Sequence, residues 1–236
     1  MAYRIKQLRK RYGDTLVLDG LSLELPKSAV SVVLGPSGCG KTSLLNILAG
    51  IDTDFEGELD GFAGMRASYA FQEDRLLPWR SAKDNVALVL EARFGRQEAD
   101  RLALEALRSV GLEHDAAKLP GALSGGMRKR VALARAFAYP SELLLMDEPF
   151  SSLDLKTRIA IMDLFLTLRR ASGKTALIVT HDVREAIYLG DTVHCLSDKP
   201  SRVRDSLELT LPRAARAYVS ADAAAIEARL YESIVG

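Results

Sequence analysis

Gly35-Pro36-Ser37-Gly38-Cys39-Gly40-Lys41-Thr42 constrains the fold of this chain more than any other stretch. It follows Ala29-Val30-Ser31-Val32-Val33-Leu34, a continuous and largely β-branched apolar run. It precedes Leu44, Leu45, Ile47 and Leu48 at helical spacing within Thr42 to Ala49, with Gly50 placed to end the helix. A run that is apolar on both faces reads as a strand buried on both faces, and such strands belong to parallel sheets covered by helices. The order strand, glycine-rich turn, helix therefore predicts an α/β protein. Glycines let backbone N–H groups turn inward, and the helix N-terminus adds the positive end of its dipole. The result is an anion cradle. In the pattern G-x-x-x-x-G-K-[ST], the lysine (here Lys41) reaches nucleotide phosphates and the hydroxyl (here Thr42) suits Mg²⁺.

The rest of the chain fits around that unit. Tyr3 to Arg9 and Leu21 to Leu25 alternate apolar and polar residues, as half-buried strands do, and Pro26-Lys27-Ser28 reads as a turn. Leu143 to Met146 and Ala176 to Val179 are further buried strands, ending at Asp147 and His181. Ligands of open α/β sheets sit beyond such carboxyl ends. Thr157 to Arg170 reads as a crossover helix. Ala82 to Phe94, Gln97 to Val110 and Gly126 to Ala138 are all helical in pattern. They predict a helical subdomain over about residues 75–138, inserted into a unit made of 1–74 and 139–236. The tail predicts an edge strand, Leu207 to Leu211, and a helix, Ala214 to Ile234.

Composition excludes several function classes. Lys+Arg is 32 and Asp+Glu is 31, a net charge of +1, which gives no electrostatic reason for a nucleic-acid partner. No apolar run approaches the roughly 18–20 residues that span a bilayer. The N-terminus lacks the apolar core of a signal peptide. The two cysteines, Cys39 and Cys195, form no metal-ligand pair or disulfide framework, which fits a reducing compartment. His114 and His194 belong to no motif.

A second motif lies far downstream, Leu123-Ser124-Gly125-Gly126-Met127. Ser124, Gly125 and Gly126 open the helix that continues through Val131, Leu133, Ala134 and Phe137, so its exposed N–H groups form a second anion site. Asp147, at a strand end, suits the surroundings of Mg²⁺. Its neighbour Glu148 can orient or deprotonate water.

With these residues in hand, the sequence resembles the ATP-binding subunit of an ABC transporter over nearly its whole length. The matching motifs are the phosphate loop, Gln72, Leu123-Ser124-Gly125-Gly126, Leu143 to Glu148, Ser151-Ser152-Leu153-Asp154 and His181, in the family's order. The resemblance implies a P-loop NTPase (RecA-like) core with an N-terminal antiparallel β subdomain and the helical insert. It implies ATP and Mg²⁺ as ligands. Gly35, Pro36, Ser37, Gly38, Cys39, Gly40, Lys41, Thr42 and Ser43 would hold the phosphates, and Tyr12 would stack on adenine. Thr42, Gln72 and Asp147 would serve the metal. Glu148 would be the general base, with Lys41, Gln72 and His181 completing the catalytic set. Ser124, Gly125 and Gly126 would meet the phosphate loop of a second copy, with Asp154 bridging the seam, so ATP is buried in a homodimer. Met127 departs from the glutamine usual there, and a thioether cannot make an amide's hydrogen bonds. Cys39 lies inside the loop, so alkylation there is expected to fill the cradle and block ATP.

Phe71 to Arg80, with Pro78 and the single tryptophan Trp79, resembles importers of nitrate, sulfonates, taurine and related compounds, including some for thiamine-precursor pyrimidines. That resemblance implies a separate membrane permease docking near Gln72 to Arg80, an external solute-binding protein, and a peripheral place on the cytoplasmic face of the membrane. It also implies no C-terminal regulatory domain. Three other readings compete: an ABC ATPase acting on DNA or ribosomes, a P-loop kinase, and a binding module without catalysis. Neutral charge and the absence of a long coiled coil disfavour the first. Leu123 to Gly126 and Glu148 disfavour the second, and intact Lys41, Asp147, Glu148 and His181 the third.

Overall fold

A computed structural model describes residues 2–216, 218 and 223–235. The central element is a six-stranded sheet ordered β5-β6-β7-β3-β8-β9. Its strands are β3 (Val30–Leu34), β5 (Ala67–Ala70), β6 (Leu143–Asp147), β7 (Thr175–Thr180), β8 (Thr192–Leu196) and β9 (Val203–Glu208). All neighbours pair in parallel except β9, which runs antiparallel to β8. Every residue of β3 and β7 is buried. Alternation then sorts the side chains between two cores. Val30, Val32 and Leu34 join Leu144, Met146, Ala176 and Ile178 on one face, under α5 (Leu155–Ser172) and α6 (Val183–Leu189). Val33, Leu143, Leu145, Leu177 and Val179 face the other way. There they meet α1 (Lys41–Leu48) and a three-stranded antiparallel sheet of β1 (Ala2–Tyr12), β2 (Thr15–Pro26) and β4 (Glu56–Asp60). Burying one of these large aliphatic side chains contributes roughly 1.5–3 kcal/mol, so both faces of the sheet are strongly held.

The insert has its own core. On α2 (Ala82–Phe94) the residues Ala82, Val86 and Leu90 recur every four positions, as do Ala99, Ala103 and Leu107 on α3 (Arg96–Ser109). That spacing lines one helix face. The third helix, α4 (Gly125–Ala138), belongs to two cores at once. Val131 and Ala134 pack with the insert, while Leu133 and Ala136 pack under the parallel sheet. Its cations also grip the end of β5: Lys129 Nζ donates to Gln72 O (2.7 Å), and Arg135 to the carbonyls of Asp74 and Arg75.

Several expectations shift. β1 and β2 are longer than their alternating cores because they form a hairpin through Gly13-Asp14; bulges and a left-handed Gln7 (φ 49°) interrupt the period of two. β4, β5 and β8 carried no clear sequence signal. The edge strand is Val203–Glu208, not Leu207 to Leu211: it starts earlier, opposite Leu196, and after Glu208 only one further bond in register follows, from Leu209 N–H to Asp191 O. The helix expected over Ala214 to Ile234 is instead a 3₁₀ turn, Arg213–Ala215, and α7 (Ala224–Val235). Arg216 turns inward, its guanidinium satisfying the carbonyls of Gly190, Leu209 and Leu211, which takes the backbone out of a helix. Positions 217 and 219–222 of that expected helix lie outside the described residues.

Candidate active site

The phosphate loop joins β3 to α1 at the carboxyl edge of the parallel sheet. Gly38 (φ 80°) and Gly40 (φ 109°) occupy conformations that side chains resist. At Gly40 a Cβ would stand 2.8 Å from Val17 Cγ1 and 2.9 Å from Leu18 Cδ2, so the cradle closes only with glycine. Gly40 also offers no side chain to cap α1. Lys41 is buried and donates to the carbonyls of Gly35 and Pro36 (2.9 Å each). Its ammonium lies 3.8 Å from Glu148 Oε1.

The strand ends β6 and β7 deliver the acidic and basic groups. Thr42 Oγ1 donates to Asp147 Oδ2 (2.9 Å), and Tyr69 OH donates to the same oxygen (3.5 Å). Burial pushes the Asp147 carboxyl above the usual carboxylate range, with Thr42 pulling the other way. Next to it Glu148 adopts φ 40°, a conformation rare outside glycine and typical of functional sites. Its backbone N–H bonds Val179 O (3.0 Å), which fixes that turn against β7. Its side chain stands between two cations or donors: Lys41, and His181 Nδ1 at 3.1 Å from Oε2.

A cleft of about 270 Å³ opens above the loop, and its walls include Tyr12, Val17, Ser37, Lys41, Glu148 and Lys199. Tyr12 hydrogen-bonds Asp52 (3.0 Å) and Ser43 (3.4 Å), with the Lys10 ammonium 4.7 Å from its ring centre. One face of an aromatic ring is thus presented beside the cradle. Lys199 had no signal in the sequence: it comes from the β8–β9 loop, far from any motif. Tyr69, too, was missed, because its role depends on β5 pairing with β6.

The oxygens of Thr42 and Asp147 fit Mg²⁺, a hard cation that takes one or two protein oxygens and leaves other positions to water and phosphate. Cys39 does not fit its expectation. Its thiol is buried on the core side of the loop, against Gly35 and Leu196, and burial pushes its pKa up. An alkylating agent has to open the core before it meets this sulfur. His194 is a core residue bonded to Ser206, whereas His114 lies on the surface beside Glu113.

Gln72, exposed just past β5, and Ser124, Gly125 and Gly126 do not line this cleft. Ser124 instead caps its own helix, accepting from Met127 N (3.3 Å). Met127 packs its thioether into the insert core. Asp154 caps α5 through Thr157 N (3.1 Å), and a Cβ on Gly126 would stand 3.0 Å from Thr157 Cγ2. Within one chain, then, Ser124 to Gly126 and Asp154 are neighbours, and both are apart from the phosphate cradle.

A family model described as ABC transporter matches residues 18–151. The chain belongs to the ABC transporter family. Its ATPase cassette is similar to the aliphatic sulfonates import ATP-binding protein SsuB 2 of Burkholderia cenocepacia (strain HI2424), 44% identical and covering 87% of this chain and 77% of that one. The taurine import ATP-binding protein TauB of Rhizobium johnstonii is 43% identical over 92% of this chain and 86% of its own. Among solved structures, the ATP-binding cassette MJ0796 as a dimer bound to ADP and Pi matches with TM-score 0.74 and 31% identity, over 88% of this chain and 98% of that one. This ABC cassette therefore binds ATP and couples its hydrolysis to transport. Among its described residues, no helix is long and apolar enough to cross a membrane.

Proposed function

We propose that this chain is the ATP-hydrolysing subunit of an importer for a small sulfonate, taurine or a related anion, acting as a homodimer beneath a separate permease. The single observation that carries the hydrolytic reading is the Glu148 carboxylate, held between Lys41 and His181 at the cleft. In this reading Lys41 neutralises phosphate charge, and Tyr12 stacks on adenine. Thr42 and Asp147 hold Mg²⁺, with Gln72 completing the metal's surroundings when the dimer closes. Held by these residues, Mg²⁺ would supply positive charge that offsets the charge of the phosphates. Glu148 accepts the proton of the attacking water, and His181 keeps that carboxylate aimed.

The dimer supplies what one chain lacks. Ser124, Gly125 and Gly126 of one copy would meet the terminal phosphate of the other, and Asp154 would bridge between them. The relatives' names point to sulfonates and taurine as solutes. Trp79 supports the permease: it is 73% exposed on a segment that a fully buried Asn85 pins by accepting from Leu77 N and donating to Leu77 O and Arg80 O. An exposed tryptophan on a rigid loop suits an interface anchor. Permease docking would place the cassette on the cytoplasmic face of the membrane, with an external solute-binding protein acting indirectly.

The test replaces Glu148 by Gln. Turnover should fall by about 10²–10⁴-fold, the usual worth of a positioned base. ATP should still bind, and light scattering should show an ATP-dependent dimer. Turnover near that of the parent chain sinks the reading.

A further inference from the structure

We infer that Lys199 is a nucleotide-binding residue, holding the anionic part of ATP from the β8–β9 loop that borders the cleft. The inference rests on the proposed reading of the cleft as the ATP site, and adds to it a residue outside the motifs.

Two ammonium groups line the cleft, Lys41 and Lys199. They differ in what else they touch. Lys41 is buried, donates to two carbonyls and lies near Glu148. Lys199 is exposed and makes no hydrogen bond or ion pair among the described residues. Its charge is free for a ligand that enters the cleft.

The loop that carries it is fixed rather than free. Ser197 N–H bonds Arg202 O (3.0 Å) and Ser197 Oγ accepts from Arg202 N (3.0 Å), closing the loop on itself. Fully buried Ser201 then clips it to two parts of the site. Its N–H donates to Val17 O (2.9 Å) and its carbonyl accepts from Asp19 N (3.0 Å). Its hydroxyl donates to Cys39 O, inside the phosphate loop. Arg202 adds an ion pair with Asp19. Both walls of the cleft, Val17 and the phosphate loop, are therefore tied to the backbone two residues from Lys199. Such anchoring lowers the conformational cost of placing an ammonium over a bound anion.

The magnitude follows from exposure. A solvent-screened charge contact is worth a small factor, so Lys199→Ala should weaken ATP affinity about threefold to fivefold at low salt. Lys199→Glu should weaken it further, and Lys199→Arg should restore it. The measurement is equilibrium binding of ATP, ADP and adenosine to the full chain, with melting curves to show that the exposed substitution leaves folding intact. Expected are losses for ATP and ADP, none for adenosine, shrinkage of the loss at high salt, and a raised KM with unchanged kcat. Unchanged ATP affinity in Lys199→Ala and Lys199→Glu overturns the inference. So does an equal loss for adenosine, which would mean a disturbed loop rather than a charge contact. Failure of the parent chain to bind ATP, with Lys41→Ala no different, overturns the reading of the cleft instead.

Discussion

Two helices in this chain open beside glycines, and their N-termini are built differently. At α1 the cap is Gly40, left-handed and without a side chain, so the first N–H groups of the helix stay available. Around it stand a buried lysine, two carboxylates and a histidine delivered by three neighbouring strands. At α4 the cap is Ser124, whose hydroxyl already takes one N–H. Arg128 donates to Leu123 O (2.8 Å) next to it, and the residues of this end are not among those lining the cleft above the phosphate loop. The first end can hold a phosphate within one chain. The second offers a dipole and a serine on a surface, which on the proposed function meet a phosphate held by another copy.

α4 also sits in two cores. Its N-terminus lies beside the start of α5, and its middle grips the Gln72 segment through Lys129 and Arg135. α4 is thus bonded directly to the loop that carries Gln72 and, beyond it, Trp79.

The largest effect expected from this comparison is at the complete end. Lys41→Ala should lower ATP turnover by about 10²–10³-fold or more, since it removes a preorganised charge that stabilises the transferring phosphoryl group. It should also weaken ATP binding to the isolated chain. A steady-state ATPase assay decides; turnover within a few fold of the parent chain would break the claim that this end is complete in itself.

Next in size is the incomplete end. Ser124→Arg, which puts bulk and charge at the tip of α4, should cut turnover by about 10²-fold through misplacement at the closed site. ATP affinity of the monomer should not move. Mixing the inactive Lys41→Ala and Ser124→Arg chains then sharpens the contrast. Mixed dimers pair an intact phosphate loop with an intact Ser124, so activity should exceed the sum of the two variants. Strict additivity would mean that each chain completes its own site, and the two-ended picture fails.

The same contrast shows where sequence was legible. Gly35 to Thr42 and Ser124 to Gly126 are local patterns: the residues that make each helix end adjoin one another in the chain. Asp147, Glu148 and His181 were visible because each follows an apolar strand. Lys199 and Tyr69 were not, because what places them is the pairing of β8 with β9 and of β5 with β6, set by contacts between distant segments. The split of the C-terminal helix was hidden for a related reason. Arg216 looks like an ordinary helical surface residue until Gly190 and Leu209 are folded against it. Cys39 misled in the opposite sense: its neighbours in sequence are the cradle, but its neighbours in space are the core.

The smallest effect isolates the cap itself. Ser124→Ala removes the hydroxyl that accepts from Met127 N but leaves the backbone N–H groups in place. Loss of a serine cap costs about 1 kcal/mol, typically within 0.5–2. For a chain of this size that is a fall in Tm of about 2–4 °C. Saturating ATP should then stabilise both proteins equally, by roughly 2.7 kcal/mol at one hundred times the Kd, because monomer binding does not use Ser124. Differential melting with and without ATP separates the two contributions. A variant that melts lower and also gains less from ATP would show that Ser124 already touches nucleotide within its own chain, which is the one arrangement the two helix ends, as placed here, do not permit.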